Sequence, residues 1–122
     1  MTRVHIAVLP ISLICAATAA YSSDAVRVGG YFCDTRQDQI SFLGLRASGE
    51  NEIMAAEVVN KSAGRQTCAP YMSVDVIPGR EKTTVDRGLV FKVQSFTFLP
   101  EQSEKWSGTF FGSLDVVAEK EL

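Results

Sequence analysis

Histidine is almost missing from this chain: the one imidazole, His5, stands five residues from the start. Beyond it there is no residue able to serve as the base of a Ser-His-Asp or Cys-His system, and most zinc and copper sites lose their commonest ligand. Cysteine is scarce as well, with Cys15, Cys33 and Cys68 far from the Cys-x-x-Cys spacing of redox enzymes. No glycine-rich phosphate loop is present, since Val28-Gly29-Gly30 lacks both the spacing and the following lysine. Charge of neither sign dominates. Twelve Lys and Arg face 14 Asp and Glu, interspersed and without a basic stripe, so nucleic acid and anionic membrane surfaces are not expected partners. Neither a cofactor nor a metal is predicted.

Long apolar runs are lacking too. Ile6 to Cys15 is about half the roughly 20 residues that a permanent membrane helix needs. What precedes and follows it explains it better. Met1 to His5 carries Arg3, the apolar run follows, and Ala17-Thr18-Ala19 ends it with the small-x-small pattern that a signal peptidase accepts. Residues 1–19 are therefore predicted to be a cleavable secretory signal, leaving 20–122 as one small domain with no stable membrane span. Leu13 and Ile14 ahead of Cys15 are too large for lipoprotein processing, so a lipid anchor is not expected.

Export decides the state of the two remaining cysteines. A short exported chain with an even number of thiols is read as disulfide-bonded, and Cys33–Cys68 is then the one pairing available. A loop of that length, closed in the unfolded chain, contributes about 3–4 kcal/mol in the chain-entropy picture.

Along the chain, Tyr21 to Gly30 reads as a flexible lead containing a short extended piece, Val26-Arg27-Val28, followed by an apolar and aromatic segment Tyr31-Phe32-Cys33 that suits a strand or a docked segment beside the disulfide. Thr35-Arg36-Gln37-Asp38 is a helix start, with the Thr35 hydroxyl as cap and Asp38 expected to reach back to it. Ile40, Leu43, Gly44 and Ala47 then share a face, widened by Phe42 and Leu45. After Ser48-Gly49 a second helix is predicted from Glu50 to Ala63, burying Ile53, Ala56 and Asn60 with Met54 and Val58 close by, and capped by Gly64. From Cys68 the period becomes two. Met72, Val74 and Val76 form a half-buried strand ended by Pro78-Gly79, Lys82 to Val85 a short one, and Leu89, Phe91 and Val93 a third. The aromatics then change parity at Phe96 and Phe98, which predicts a bulge near Gln94-Ser95. Pro100 to Lys105 reads as a loop, Trp106 to Leu114 as the last strand, and Val116-Val117 as a further strand in a polar tail. The predicted class is α+β: an N-terminal helix hairpin or bent helix, bracketed by the disulfide, on a C-terminal antiparallel sheet or half-barrel.

Two groups of residues are candidates for function. Glu101 and Glu104 flank Trp106, the combination a sugar-acting enzyme could use, although their loop reads as solvated. Phe96, Phe98, Trp106, Phe110 and Phe111 crowd the C-terminal half with a parity that prevents all of them from facing one core, so part of the set is expected at the surface as a binding patch.

Tyr31-Phe32-Cys33-Asp34-Thr35, the helical stretch ending Gly64-Arg65-Gln66-Thr67-Cys68 and the β-rich end resemble a broad group of small exported proteins of Gram-negative bacteria that have no assigned function. The resemblance implies a periplasmic address and brings no catalytic residue with it. The expected function is a non-enzymatic module, periplasmic or secreted, that binds a protein, a peptide or an envelope component through its β half. The alternatives are a small periplasmic hydrolase inhibitor and a cell-wall-sugar enzyme or accessory using Glu101 and Glu104. Mass spectrometry of the exported protein should return a chain beginning near Ala20, free of lipid, that gains two hydrogens on reduction. An intact start with both thiols alkylatable would sink the export reading.

Overall fold

A strand, not a helix, comes first. In the computed structural model of the protein, which describes residues 24–115, the order is β1 (Val26–Cys33), α1 (Arg36–Ala47), α2 (Glu52–Ala63), β2 (Cys68–Asp86), β3 (Leu89–Phe98) and β4 (Ser103–Ser113). The α+β class and the disulfide-bracketed helix pair hold, but the helix-first order does not. Val26 to Gly30 of the predicted lead and the Tyr31-Phe32-Cys33 segment are one strand, because their backbone pairs across the ladder with residues thirty-five or more positions later, a partnership that no local pattern encodes. The signal segment and Val116-Val117 lie outside the described residues.

The four strands are antiparallel and close as a barrel in the order β1-β2-β3-β4. Closure is slight: among the described residues β1 meets β4 in one pair, Cys33 with Trp106. That pair adjoins Cys33–Cys68, which is at once a β1–β2 ladder pair and the disulfide, with an S–S distance of 2.04 Å.

Three ladder irregularities bend the strands around this closure. Met72 and Ser73 together oppose Gly29, Gly79 and Arg80 oppose Ser95, and Phe111 is an extra residue on β4. The bulge expected near Ser95 is thus present, with its extra residue on β2. For the same reason β2 does not stop at Pro78-Gly79; it bulges there and runs on to Asp86. Gly29 and Gly79 are required by close approach, since a Cβ would lie 2.4 Å from the Met72 carbonyl oxygen at the first and 2.2 Å from Ser95 Oγ at the second.

Both helices begin on side-chain caps. The Thr35 hydroxyl accepts from Asp38 N at 3.1 Å and Asn51 Oδ1 accepts from Met54 N at 2.9 Å. Asp38 does not return to its cap; its carboxylate accepts from the Thr67 hydroxyl at 2.7 Å. α1 buries Gln39, Ile40, Phe42 and Leu43. α2 is rotated from the predicted face: Ala55, Ala56 and Val59 are buried, whereas Ile53 is 65% exposed and Met54 and Val58 are also at the surface. Small residues suit this contact because they let the helix approach α1 and β2 closely. Gly64 ends the helix in the left-handed region at φ 75°.

The parity change at Gln94 divides the interior into two clusters. Phe91 and Val93 join α1, α2 and the disulfide, with Trp106 packed at the edge. Phe98, Val76 and Phe32 form the second cluster with Phe96 against them, and Phe32 meets Phe96 and Phe98 edge-on at 5.4 and 5.1 Å.

Asn60 ties α2 to the start of β2. Its Oδ1 accepts from Thr67 N at 2.9 Å and Cys68 N at 2.7 Å, and its Nδ2 donates to the Cys68 carbonyl at 2.9 Å. Asn60→Ala strands the N–H and carbonyl of Cys68 beside the disulfide, while Thr67 N keeps the Arg65 carbonyl at 3.0 Å, and the change should destabilise by about 2 kcal/mol. Denaturant unfolding of the oxidised protein would measure it.

Candidate functional site

Away from Cys33–Trp106 the strands β1 and β4 diverge, and a cleft of about 420 Å³ opens along the seam. Gly30 and Tyr31 form one wall and Ser107 to Phe110 the other, while α1 closes the floor with Gln39, Phe42 and Leu43. Tyr31 stacks on Phe42 at 5.3 Å between ring centroids, and the Ser107 hydroxyl donates to the Tyr31 carbonyl at 3.2 Å across the gap. Arg46 and Glu52 stand at the rim. Arg46 Nη1 donates to the Glu50 carbonyl at 2.7 Å, which holds the side chain against the α1–α2 connection.

Gln39 is the unusual member. It is 1% exposed, and its Oε1 is, among the described residues, the buried side-chain polar atom with no hydrogen-bond partner. A buried acceptor left unpaired costs about 1–3 kcal/mol. The same residue lines the cleft. A larger groove of about 660 Å³ lies on the other side of α1, between both helices and the β2–β3 turn, but no orphan polar atom lines it.

The structure separates the five aromatics singled out in the sequence. Phe98 is buried and Phe96 packs against the Phe32 cluster. Trp106 packs on the disulfide cluster as the ladder partner of Cys33. Phe110 and Phe111 are 43% and 48% exposed. Phe110 borders the cleft, its ring 5.7 Å from that of Phe91. Phe111, the bulge residue, carries Lys92 Nζ 4.4 Å over its ring. Glu101 is exposed at the β3–β4 turn, where it accepts from the Ser103 hydroxyl at 3.3 Å, whereas Glu104 is exposed on β4 opposite Thr97, because the strand begins at Ser103 inside the predicted loop; neither lines the seam cleft or the larger groove.

Residues unmarked in the sequence complete the seam. Asp34, directly after Cys33, accepts from Lys105 Nζ at 2.7 Å and Arg65 Nη1 at 2.5 Å, joining β1 to β4 and to the segment after α2. Its own N–H donates to the Thr67 carbonyl and hydroxyl, both at 3.1 Å. Partial burial opposes ionisation of Asp34, yet the bonds from Lys105 and then Arg65 outweigh it and hold the carboxyl below its ordinary range. Burial likewise disfavours the Lys105 ammonium, and its bond to Asp34, helped by the Tyr71 side chain, holds its pKa above the ordinary value. The signal for Gln39 was available: it falls three and four residues before Phe42 and Leu43, a polar residue on an apolar stripe. Nothing local pairs Asp34 with Lys105, seventy-one positions away.

Fold and seam define the class as a disulfide-stapled α+β barrel, slightly closed, with a cleft on its seam. No family model, curated protein or solved structure matches the chain. Among the described residues no group of His, Cys, Asp and Glu is placed to hold a metal, and no helix is long and apolar enough to cross a membrane.

The pH dependence follows from the Asp34 cluster. A carboxyl whose folded pKa is depressed stabilises the fold above its unfolded value of about 3.9, and that contribution disappears as pH falls through the lower folded value. The raised Lys105 pKa acts at the other end, its contribution being present below about 10.4 and lost as pH rises past the folded value. Asp34→Asn should therefore flatten the acid limb of stability against pH and also remove the alkaline loss due to Lys105. An acid limb identical to that of the wild type would refute the role given to Asp34.

Proposed function

We propose that the protein is a non-enzymatic binding module that works outside the cytoplasm, in the periplasm or as a secreted protein, and takes a protein, peptide or envelope component at the seam between β1 and β4. The observation that carries this reading is the coincidence at one place of an exposed aromatic, Phe110, with a buried acceptor, Gln39 Oε1, that has no hydrogen-bond partner among the described residues. An unpaired acceptor weakens the free protein, and such a group persists where a ligand donor completes it. The lining suits recognition rather than bond-making: hydroxyls of Tyr31, Ser107 and Thr109, one amide, and one charge of each sign at the rim. The extracellular setting is supported by the buried disulfide, which persists in an oxidising compartment. The likeness to small exported proteins of Gram-negative bacteria points the same way.

Gln39→Leu discriminates this reading from a merely structural glutamine. Removing the orphan acceptor should raise stability by about 1–2 kcal/mol. It should also reduce capture of the partner from envelope extract, as should Phe110→Ala, each scored against wild-type protein on the same matrix. A stabilised Gln39→Leu variant that captures the same material as the wild type would remove the cleft from the function.

A further inference from the structure

Three residues of α1 mark out the length of the seam cleft. Gln39, Leu43 and Arg46 follow one another at spacings of four and three, so they share one stripe of the helix that floors it. That stripe is about 10 Å long at the helical rise. Its chemistry changes from end to end. Gln39, 1% exposed, offers an acceptor with no hydrogen-bond partner among the described residues. Leu43 is apolar, as is Phe110 on the wall beside it. Arg46 stands exposed at the far end with Glu52, in the first turn of α2. These two charges are not spent on each other. Among the described residues no ion pair joins them, and Arg46 is held instead by the bond from Nη1 to the Glu50 carbonyl, two residues before Glu52.

We propose that the cleft recognises an α-amino-acid head, ammonium and carboxylate on one carbon, carried on an apolar stem that ends in a neutral O–H or N–H. At the rim the carboxylate pairs with Arg46 and the ammonium with Glu52; the stem lies along Leu43 and Phe110, and the donor reaches Gln39 Oε1. Each part of the ligand is selected by one protein group. A buried acceptor takes a donor, and a neutral one, because burying an ammonium against an uncharged amide is costly. The guanidinium fork matches a carboxylate, and an unspent carboxylate close by matches an ammonium. One carbon bearing both charges answers this pair, whereas either terminus of a peptide brings only one. Two kinds of molecule carry the chemistry: free tyrosine, whose stem ends in a phenol, and a lysine-like head joined to an envelope component through an amide N–H. The inference rests on the reading of the seam as a binding cleft and names the ligand it takes.

Isothermal titration of the oxidised protein tests it, with L-tyrosine as probe for the first source and Nε-acetyl-L-lysine for the second. At least one is expected to bind, and the tighter of the two identifies the source. L-phenylalanine and L-norleucine keep head and stem without the donor, and should bind at least about tenfold more weakly than their respective partners. Tyramine lacks the carboxylate and desaminotyrosine the ammonium, and each should fall below tyrosine. Gln39→Leu should abolish the difference within each donor pair, and Arg46→Gln the preference for tyrosine over tyramine, changes that a merely structural role would not produce. Circular dichroism confirms that each variant folds. Absence of binding by both donor-bearing probes at millimolar concentration overturns the assignment, as does equal affinity within both pairs. Should envelope material still be captured through Gln39 and Phe110 in that event, the cleft reading survives without this ligand; should that capture fail too, both fall.

Discussion

Cys33 is the point on which the remainder of the structure depends. It is covalently joined to β2 through Cys68, it is the residue by which β1 meets β4, and the next residue, Asp34, is ion-paired to Lys105 on β4 and to Arg65 after α2. A barrel of four strands is small for closure, and here one backbone pair, one covalent bond and one carboxylate achieve it within two consecutive residues. Everything farther along β1 and β4 can diverge because the strands are already held at this end. The cleft is the consequence of that divergence, not an independent feature.

The polar groups around this closure are arranged so that partial burial is tolerated. Asp34 is 27% exposed at its side chain and has two cationic partners, so its desolvation is offset. Thr67, 2% exposed, donates to Asp38 and accepts from Asp34, and Asn60 accepts from the backbone N–H groups of Thr67 and Cys68. Gln39 stands out against this background. A protein that satisfies its buried polar groups around Asp38 in the first turn of α1 leaves an acceptor open at the very next residue, which lines the seam cleft.

The aromatics show how far sequence periodicity reaches. Their changing parity announced that Phe91, Phe96, Phe98, Phe110 and Phe111 could not share one core, and the structure has two clusters and an exposed pair. Which residues fell into which group was not legible, because it depends on the register of β3 against both neighbours. The extra residue at Phe111 alone decides that Phe110 borders the cleft while its neighbour lies under Lys92. The face of α2 was misjudged for a related reason. Ile53 and Met54 are the larger apolar residues, but the space against α1 and β2 admits Ala55, Ala56 and Val59.

By itself the sequence determined whatever rests on short-range chemistry: the helix start at Thr35, the left-handed stop at Gly64, the alternation of β2 and β3, and, from cysteine number and chain length, the disulfide. Capping, dihedral preference and period-two burial act within a few residues, so they can be read locally. Tertiary structure alone decided that Val26 to Cys33 is a barrel strand, that Asp34 finds Lys105, and that the seam opens onto Gln39. Those outcomes arise from pairings between segments dozens of residues apart, where the free energy belongs to the meeting of two surfaces and neither strand carries it alone.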